Sequence, residues 1–248
     1  MSEITVGELL VRCLKAEGIE LIAGIIDGAH IPIVVHTEKY GIRYVNAHHE
    51  EAAVHIAEGY SRIARKPGVV IGNPACGTGN MLAGVVSAHG EGHPIVAIGT
   101  LRSPLKSDPN RGGAWQSADT ESMARPITKY AATVRLWERL PEMMRAAFRA
   151  AMTGRPGPSY LAIPDDLLLQ KIDADRLPPS TRRRATGSRT WVRATRRRST
   201  ARPISSRGRS GSGCTLARAC SGRTARRNSS HSASTSAPAS ARASAHGA

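Results

Sequence analysis

The sequence predicts an α/β domain, a doubly wound parallel sheet with helices on both faces, followed by a disordered tail. Three observations predict it. Strand-like and helix-like segments alternate over residues 1–173, the strand-like ones are short unbroken apolar runs, and past Asp173 all periodicity stops. Strands of a parallel sheet are covered on both faces, so they read as continuous apolar runs rather than as alternating ones. About 170 residues suffice for one such core.

The elements follow in order. Val6, Leu9, Leu10, Cys13 and Leu14 share one face at helical spacing and predict a helix over residues 5–17. The apolar run 21–26, closed by Asp27-Gly28, reads as a buried strand and turn. A short helix over 31–40, a strand over 42–46 and a helix over 50–65 come next. A strand over 68–72, a glycine-rich loop, a helix over 80–90 and a strand over 95–100 continue the alternation. A long polar loop covers 101–118 and a strand 129–134. Pro141 opens a helix over 141–152, as proline does at a first turn. "TGRPGP" then turns the chain into a last strand over 159–163.

Charge separates the two parts. Residues 1–173 hold 6 Lys and 12 Arg against 18 acids, whereas residues 174–248 hold 17 Arg, no Lys and a single acid, Asp175. The whole net charge of +16 therefore belongs to the tail. A stretch of Arg, Ser, Ala, Thr, Gly and Pro cannot bury enough apolar surface to offset the entropy of ordering it. Two readings of residues 174–248 compete: a basic arm that contacts nucleic acid, and GC-rich DNA translated in a wrong frame. Arginine without lysine favours the second, because GC-rich codons exclude those of lysine. Cys13, Cys76, Cys214 and Cys220 fit no disulfide framework or zinc spacing, which points to a reducing, cytoplasmic setting. Residues 1–8 show no signal peptide, and no apolar run reaches the ~18 residues of a membrane span.

"NAHHEEAAVHIAEGYSR", residues 46–62, sets Glu50 and Glu51 at the junction of a strand and a helix. Acids at a helix start gain roughly 0.3–1 kcal/mol from its dipole, so a structural reading stands beside a catalytic one. "NPACGTGN", residues 73–80, joins a strand to a helix as phosphate-cradling loops do. It lacks the Lys-Ser/Thr of a P-loop and the G-x-G-x-x-G spacing.

In order, "GELLVRCLKAEGIELIAGI", "HHEEAAVHIAEGYSR", "GTGNMLAGVVSAHGEGHPIVAIG", "AWQSADTESMARPITKY" and "TGRPGPSYLAIPDDLL" fall within residues 4–170. Together they resemble the N-terminal pyrimidine-binding domain of thiamine-diphosphate enzymes, in the acetolactate synthase and 2-oxo-acid decarboxylase superfamily. The resemblance implies that Glu50 is catalytic and contacts N1′ of the cofactor's aminopyrimidine. Sharing a proton with N1′ favours the imino tautomer, which takes the C2 proton of the thiazolium and lets the cofactor act as electron sink. Such an acid belongs in a dry pocket, because burial disfavours a charged carboxylate.

The same resemblance implies cofactor contacts at Ile26 and Asp27 in the turn after the first sheet strand, and at Gly77 and Asn80 in the glycine-rich segment. It implies a substrate pocket at Trp115, Gln116 and His30. Glu51 reads as a solvated first-turn acid, and His48 and His49 as structural. Two departures weaken an ordinary acetolactate synthase reading: Ala75-Cys76-Gly77 replaces the family's G-P-G, and Ile26 replaces a common proline.

Mg²⁺ and the diphosphate are expected on a separate domain or partner chain carrying G-D-G … N, a motif not found in the 248 residues. No protein ligand for a metal is assigned, and FAD is left open. The expected function is the N-terminal portion of a carboligase or decarboxylase acting on 2-oxo acids, acetolactate-synthase-like, inactive alone and working as a homodimer or with a diphosphate-binding partner. The alternatives are a stand-alone pyrimidine-domain subunit of a two-chain 2-oxo-acid decarboxylase, and a non-catalytic nucleic-acid-binding protein acting through the tail.

Overall fold

The computed structural model describes residues 3–107 and 115–174. Expectations placed on residues 108–114, and on the tail beyond Ala174, lie outside the described residues. The order is β1 (Glu3–Thr5), α1 (Val6–Ala16), β2 (Leu21–Gly24), α2 (Ile31–Thr37), β3 (Arg43–Asn46), α3 (Glu50–Ala64), β4 (Gly68–Gly72) and α4 (Cys76–Glu91). It continues with β5 (Ile95–Leu101), α5 (Pro104–Ser107), α6 (Thr120–Ala124), β6 (Ala131–Thr133), α7 (Leu140–Met152), β7 (Ser159–Pro164), α8 (Asp165–Leu169) and β8 (Lys171–Asp173).

Six strands form one parallel sheet in the order β3-β2-β4-β5-β7-β6. Its strands are apolar on both faces, as their unbroken runs require. In β5, Val96 and Ile98 face one core and Ile95 and Ala97 the other. The first core is closed by α1, α2, α7 and α8, the second by α3, α4 and α6. The sheet is thus doubly wound, as the sequence predicts.

Two crevices follow from this winding. The chain leaves β2 towards α2 on the first face, but leaves the neighbouring β4 towards α4 on the second. Likewise β5 leads to α6 on the second face, while its neighbour β7 leads to α8 on the first. Where adjacent strands part in this way, a crevice opens outside their carboxyl ends, and ligands bind there in open α/β sheets.

Three differences from the expected elements have local causes. The helix expected over 80–90 begins four residues earlier, at Cys76. Its glycines read as loop in sequence, yet they sit in the first turn because Gly77 packs against neighbours that leave no room for a Cβ. The loop expected over 101–118 contains α5, and α6 follows it, capped by Asp119 through Ser122 N at 3.0 Å. Residues 3–5 pair antiparallel with 171–173, a long-range contact invisible to local patterning.

Helix α1 is pinned to the following segment by a buried acid. Glu8 Oε1 accepts from Tyr40 Oη at 2.6 Å, Arg12 Nη2 at 2.9 Å and Lys39 Nζ at 3.0 Å. Burial pushes this carboxyl up, but the three hydrogen bonds outweigh it and hold it at about 2, from 4.5. A depressed native value means stability that is full above pH 4.5 and is lost as the pH falls towards 2. Denaturation midpoints between pH 5 and pH 2.5 are expected to fall by an amount equivalent to roughly 2–3 kcal/mol through this group, a loss that Glu8→Gln removes from the pH profile.

Candidate active site

Glu50 opens α3, with His49 as N-cap accepting from Glu51 N at 3.3 Å. Its neighbour Glu51 is half exposed, with Oε1 4.0 Å from His55 Nε2. The two acids therefore part company: Glu51 lies on the solvated side and Glu50 is only 6% exposed. Asn80, one turn into α4, donates from Nδ2 to Glu50 Oε2 at 3.1 Å. The other oxygen, Oε1, has no hydrogen-bond partner among the described residues.

What Oε1 faces is a cradle floored by Gly77. A Cβ built on Gly77 would lie 2.7 Å from Glu50 Oε1 and 2.5 Å from Asn73 Cβ. Glycine is required there for space, since its φ is ordinary. Asn73 flanks the same spot, and its Oδ1 is buried without a partner among the described residues. Buried orphan acceptors are rare and mark positions that await a donor. Just before α4, Ala75 adopts φ 50° and ψ −86°, a strained conformation for a residue with a Cβ and one typical of functional sites.

The remaining expected residues divide. Ile26 is half exposed and held by its backbone N–H to Asn46 Oδ1 at 3.0 Å, and Asp27 Oδ1 accepts from Ala29 N at 3.2 Å. Both sit at the carboxyl end of β2, beside the first crevice. His30 is fully buried and turned inward rather than towards an open pocket. Its Nδ1 donates to Ile25 O at 2.8 Å, and its Nε2 lies 3.2 Å from Thr100 Oγ1 and 3.1 Å from Gly72 O. Burial lowers its pKa, against the pull of the two carbonyls. Thr100 Oγ1 also donates to Gly72 O at 3.3 Å, so the ring, the hydroxyl and the two carbonyls tie together the ends of β2, β4 and β5.

Trp115 is 76% exposed. Gln116, at φ 61°, donates from Nε2 to Cys76 Sγ at 3.7 Å and accepts at Oε1 from Arg102 Nη2. Gln116 and Arg102 line a crevice of about 810 Å³ at the second point where strands part. Asn73 and Arg102 were not visible as site residues in the sequence pattern. Position alone could have flagged them, since each immediately follows a buried strand, where α/β sheets place their ligands. Among the described residues no group of three or more His, Cys, Asp or Glu is arranged to hold a metal, and no helix is long and apolar enough to cross a membrane.

A buried acid beside a glycine with no room for a Cβ lies at the switch point of a doubly wound sheet, the place where α/β domains bind their ligands. Residues 4–123 match the family described as thiamine pyrophosphate enzyme, N-terminal TPP binding domain. It is 34% identical over 171 residues to a probable acetolactate synthase large subunit of Methanococcus aeolicus, covering 69% of this chain and 28% of that protein. It is also 34% identical over 170 residues to the acetolactate synthase large subunit of Haemophilus influenzae (67% and 29%). A catabolic acetolactate synthase of Raoultella terrigena shows 34% identity over 174 residues (70% and 30%). The chain thus spans less than a third of the length of these relatives.

Proposed function

We propose that this domain is the aminopyrimidine-activating part of a thiamine-diphosphate-dependent carboligase acting on 2-oxo acids, of the acetolactate synthase kind. The observation that carries the reading is the state of Glu50: buried, oriented through one oxygen by Asn80, and with no hydrogen bond to the other among the described residues, where it lies against Gly77. The residues fit the cofactor's pyrimidine end. A flat heteroaromatic ring needs a floor without a Cβ and a carboxyl group within reach of a ring nitrogen, which Gly77 and Glu50 would supply.

When bound, thiamine diphosphate supplies the electron sink for making and breaking bonds beside a carbonyl. The chain's own part is to hold and move one proton. Glu50 shares it with N1′ through Oε1, while Asn80 keeps the carboxyl plane fixed through Oε2. Buried Ala53 and Val54 on the same helix keep water from its inner side. Ile26 and Asp27, at the end of β2, would help to hold the ring. His30 holds the ends of β2, β4 and β5 together. Mg²⁺ and the diphosphate fall to another domain or to a partner subunit, in a dimeric cytoplasmic enzyme. On this reading the 248-residue chain alone gives no turnover.

The test is a titration with 4-amino-5-hydroxymethyl-2-methylpyrimidine, the aminopyrimidine half of thiamine, followed by NMR on the intact chain. Saturable shifts at the amides of Glu50, Gly77 and Asn80, lost in Glu50→Ala, are expected in the millimolar range. Shifts confined to other parts of the sheet, or none at all, would contradict the assignment.

A further inference from the structure

The second crevice lies beside the cradle, and a chain of contacts joins them. Cys76, adjacent to Gly77, accepts from Gln116, and Gln116 accepts in turn from Arg102. Arg102 Nη1 lies 3.3 Å from Asp165 Oδ2, at the start of α8. Arg102 therefore sits between the exits of β5 and β7, its guanidinium plane fixed from two sides. A guanidinium carries five N–H donors in a rigid fork, and these contacts occupy two nitrogens of it without filling the set. Gln116 holds a left-handed backbone conformation that surrounding contacts must maintain.

The crevice's carboxylates are already engaged. Asp119 caps Ser122, Glu121 pairs with Arg125 and accepts from Thr133, and Asp166 accepts from Ser103. A second cation, Arg135, also lines the crevice, but among the described residues no chain of hydrogen bonds leads from it to the cradle.

We infer that Arg102 is the carboxylate anchor of the 2-oxo acid, a specificity-determining residue held in place by Asp165 and Gln116; the inference rests on the function proposed above. A 2-oxo acid at the mouth of the cradle has its reacting carbonyl beside Cys76 and Gln116 and its carboxylate against the Arg102 fork, the pairing for which a guanidinium is best suited.

The experiment compares pyruvate with pyruvamide, its neutral analogue, on the intact chain at low salt, read at the Gln116 amide so that diffuse anion binding to other arginines does not register. Pyruvate is expected to bind about tenfold more tightly than pyruvamide. Arg102→Gln should bring the ratio to within about twofold with pyruvamide unaffected, Arg102→Lys should keep part of it as a point charge, and Arg135→Gln should leave it unchanged. A ratio that survives Arg102→Gln, or that moves with Arg135→Gln instead, overturns the inference. Equal weakening of both ligands in Arg102→Gln also overturns it, because that is what a purely structural residue does. If neither ligand shifts Gln116 while the aminopyrimidine still binds the cradle, the anchor is wrong and the cofactor reading stands. If the aminopyrimidine fails too, both fall.

Discussion

Replacing Glu50 by glutamine, in an enzyme assembled from this domain and the remaining domains of an acetolactate synthase, is expected to lower turnover by roughly 10²–10⁴-fold, the range that a lost general acid–base group commands. The substitution is nearly isosteric. Its amide oxygen can still accept from Asn80, so the 3.1 Å contact that orients the side chain survives. What disappears is the ability to exchange a proton across the cradle. Folding stability should therefore stay within about 1 kcal/mol of the parent. Steady-state turnover with pyruvate, alongside a thermal melt, separates the two effects. Turnover unchanged in a well-folded variant would remove Glu50 from the chemistry.

Gly77→Ala is expected to damage the same site by a different route. The added methyl group would meet Asn73 Cβ at 2.5 Å and Glu50 Oε1 at 2.7 Å. The first contact is close to the backbone and cannot swing away, so the α4 start or the β4–α4 loop must shift, at roughly 1–3 kcal/mol. The second displaces the oxygen that faces the cradle. Loss of aminopyrimidine binding with a lowered melting temperature is the expected result. Gly79→Ala is the control: its Cβ meets only Met123 Cε at 3.8 Å, and alanine favours a helix. That variant should bind as the parent does and melt at the same temperature or slightly higher. Tight binding in Gly77→Ala would show that the cradle is not where the ring sits.

The contrast between these two glycines also marks what was legible in the sequence. Strand and helix alternation, with apolar runs such as "GVVIG" and "IVAIG", was enough for the doubly wound sheet, because burial on both faces leaves an unbroken local signature. The β1–β8 pairing was not legible, since it joins segments some 170 residues apart. Nor could a local reading place the start of α4, where glycine propensity argued for loop and close packing against Asn73 decided for helix. In the candidate site, Glu50 drew notice by its type and position at a strand–helix junction, whereas Asn80 entered only through what the family resemblance implies. His30 shows the limit. Its identity suggested a group facing substrate, but the direction of a side chain is set by three-dimensional surroundings, here three strand-end partners that take up both ring nitrogens. Arg102 was silent for the opposite reason, being one arginine among many until the fold set it between two parting strands.

The most direct test of the account follows the C2 proton of thiamine diphosphate, since its exchange reports activation of the cofactor without any substrate. Hydrogen–deuterium exchange at C2 should be measured by quenched-flow NMR in the assembled enzyme, in its Glu50→Gln variant and in free solution. Exchange is expected to be orders of magnitude faster on the parent enzyme than in solution, with a return towards the solution rate in the variant. Exchange in Glu50→Gln as fast as in the parent, with the cofactor equally bound, would contradict it.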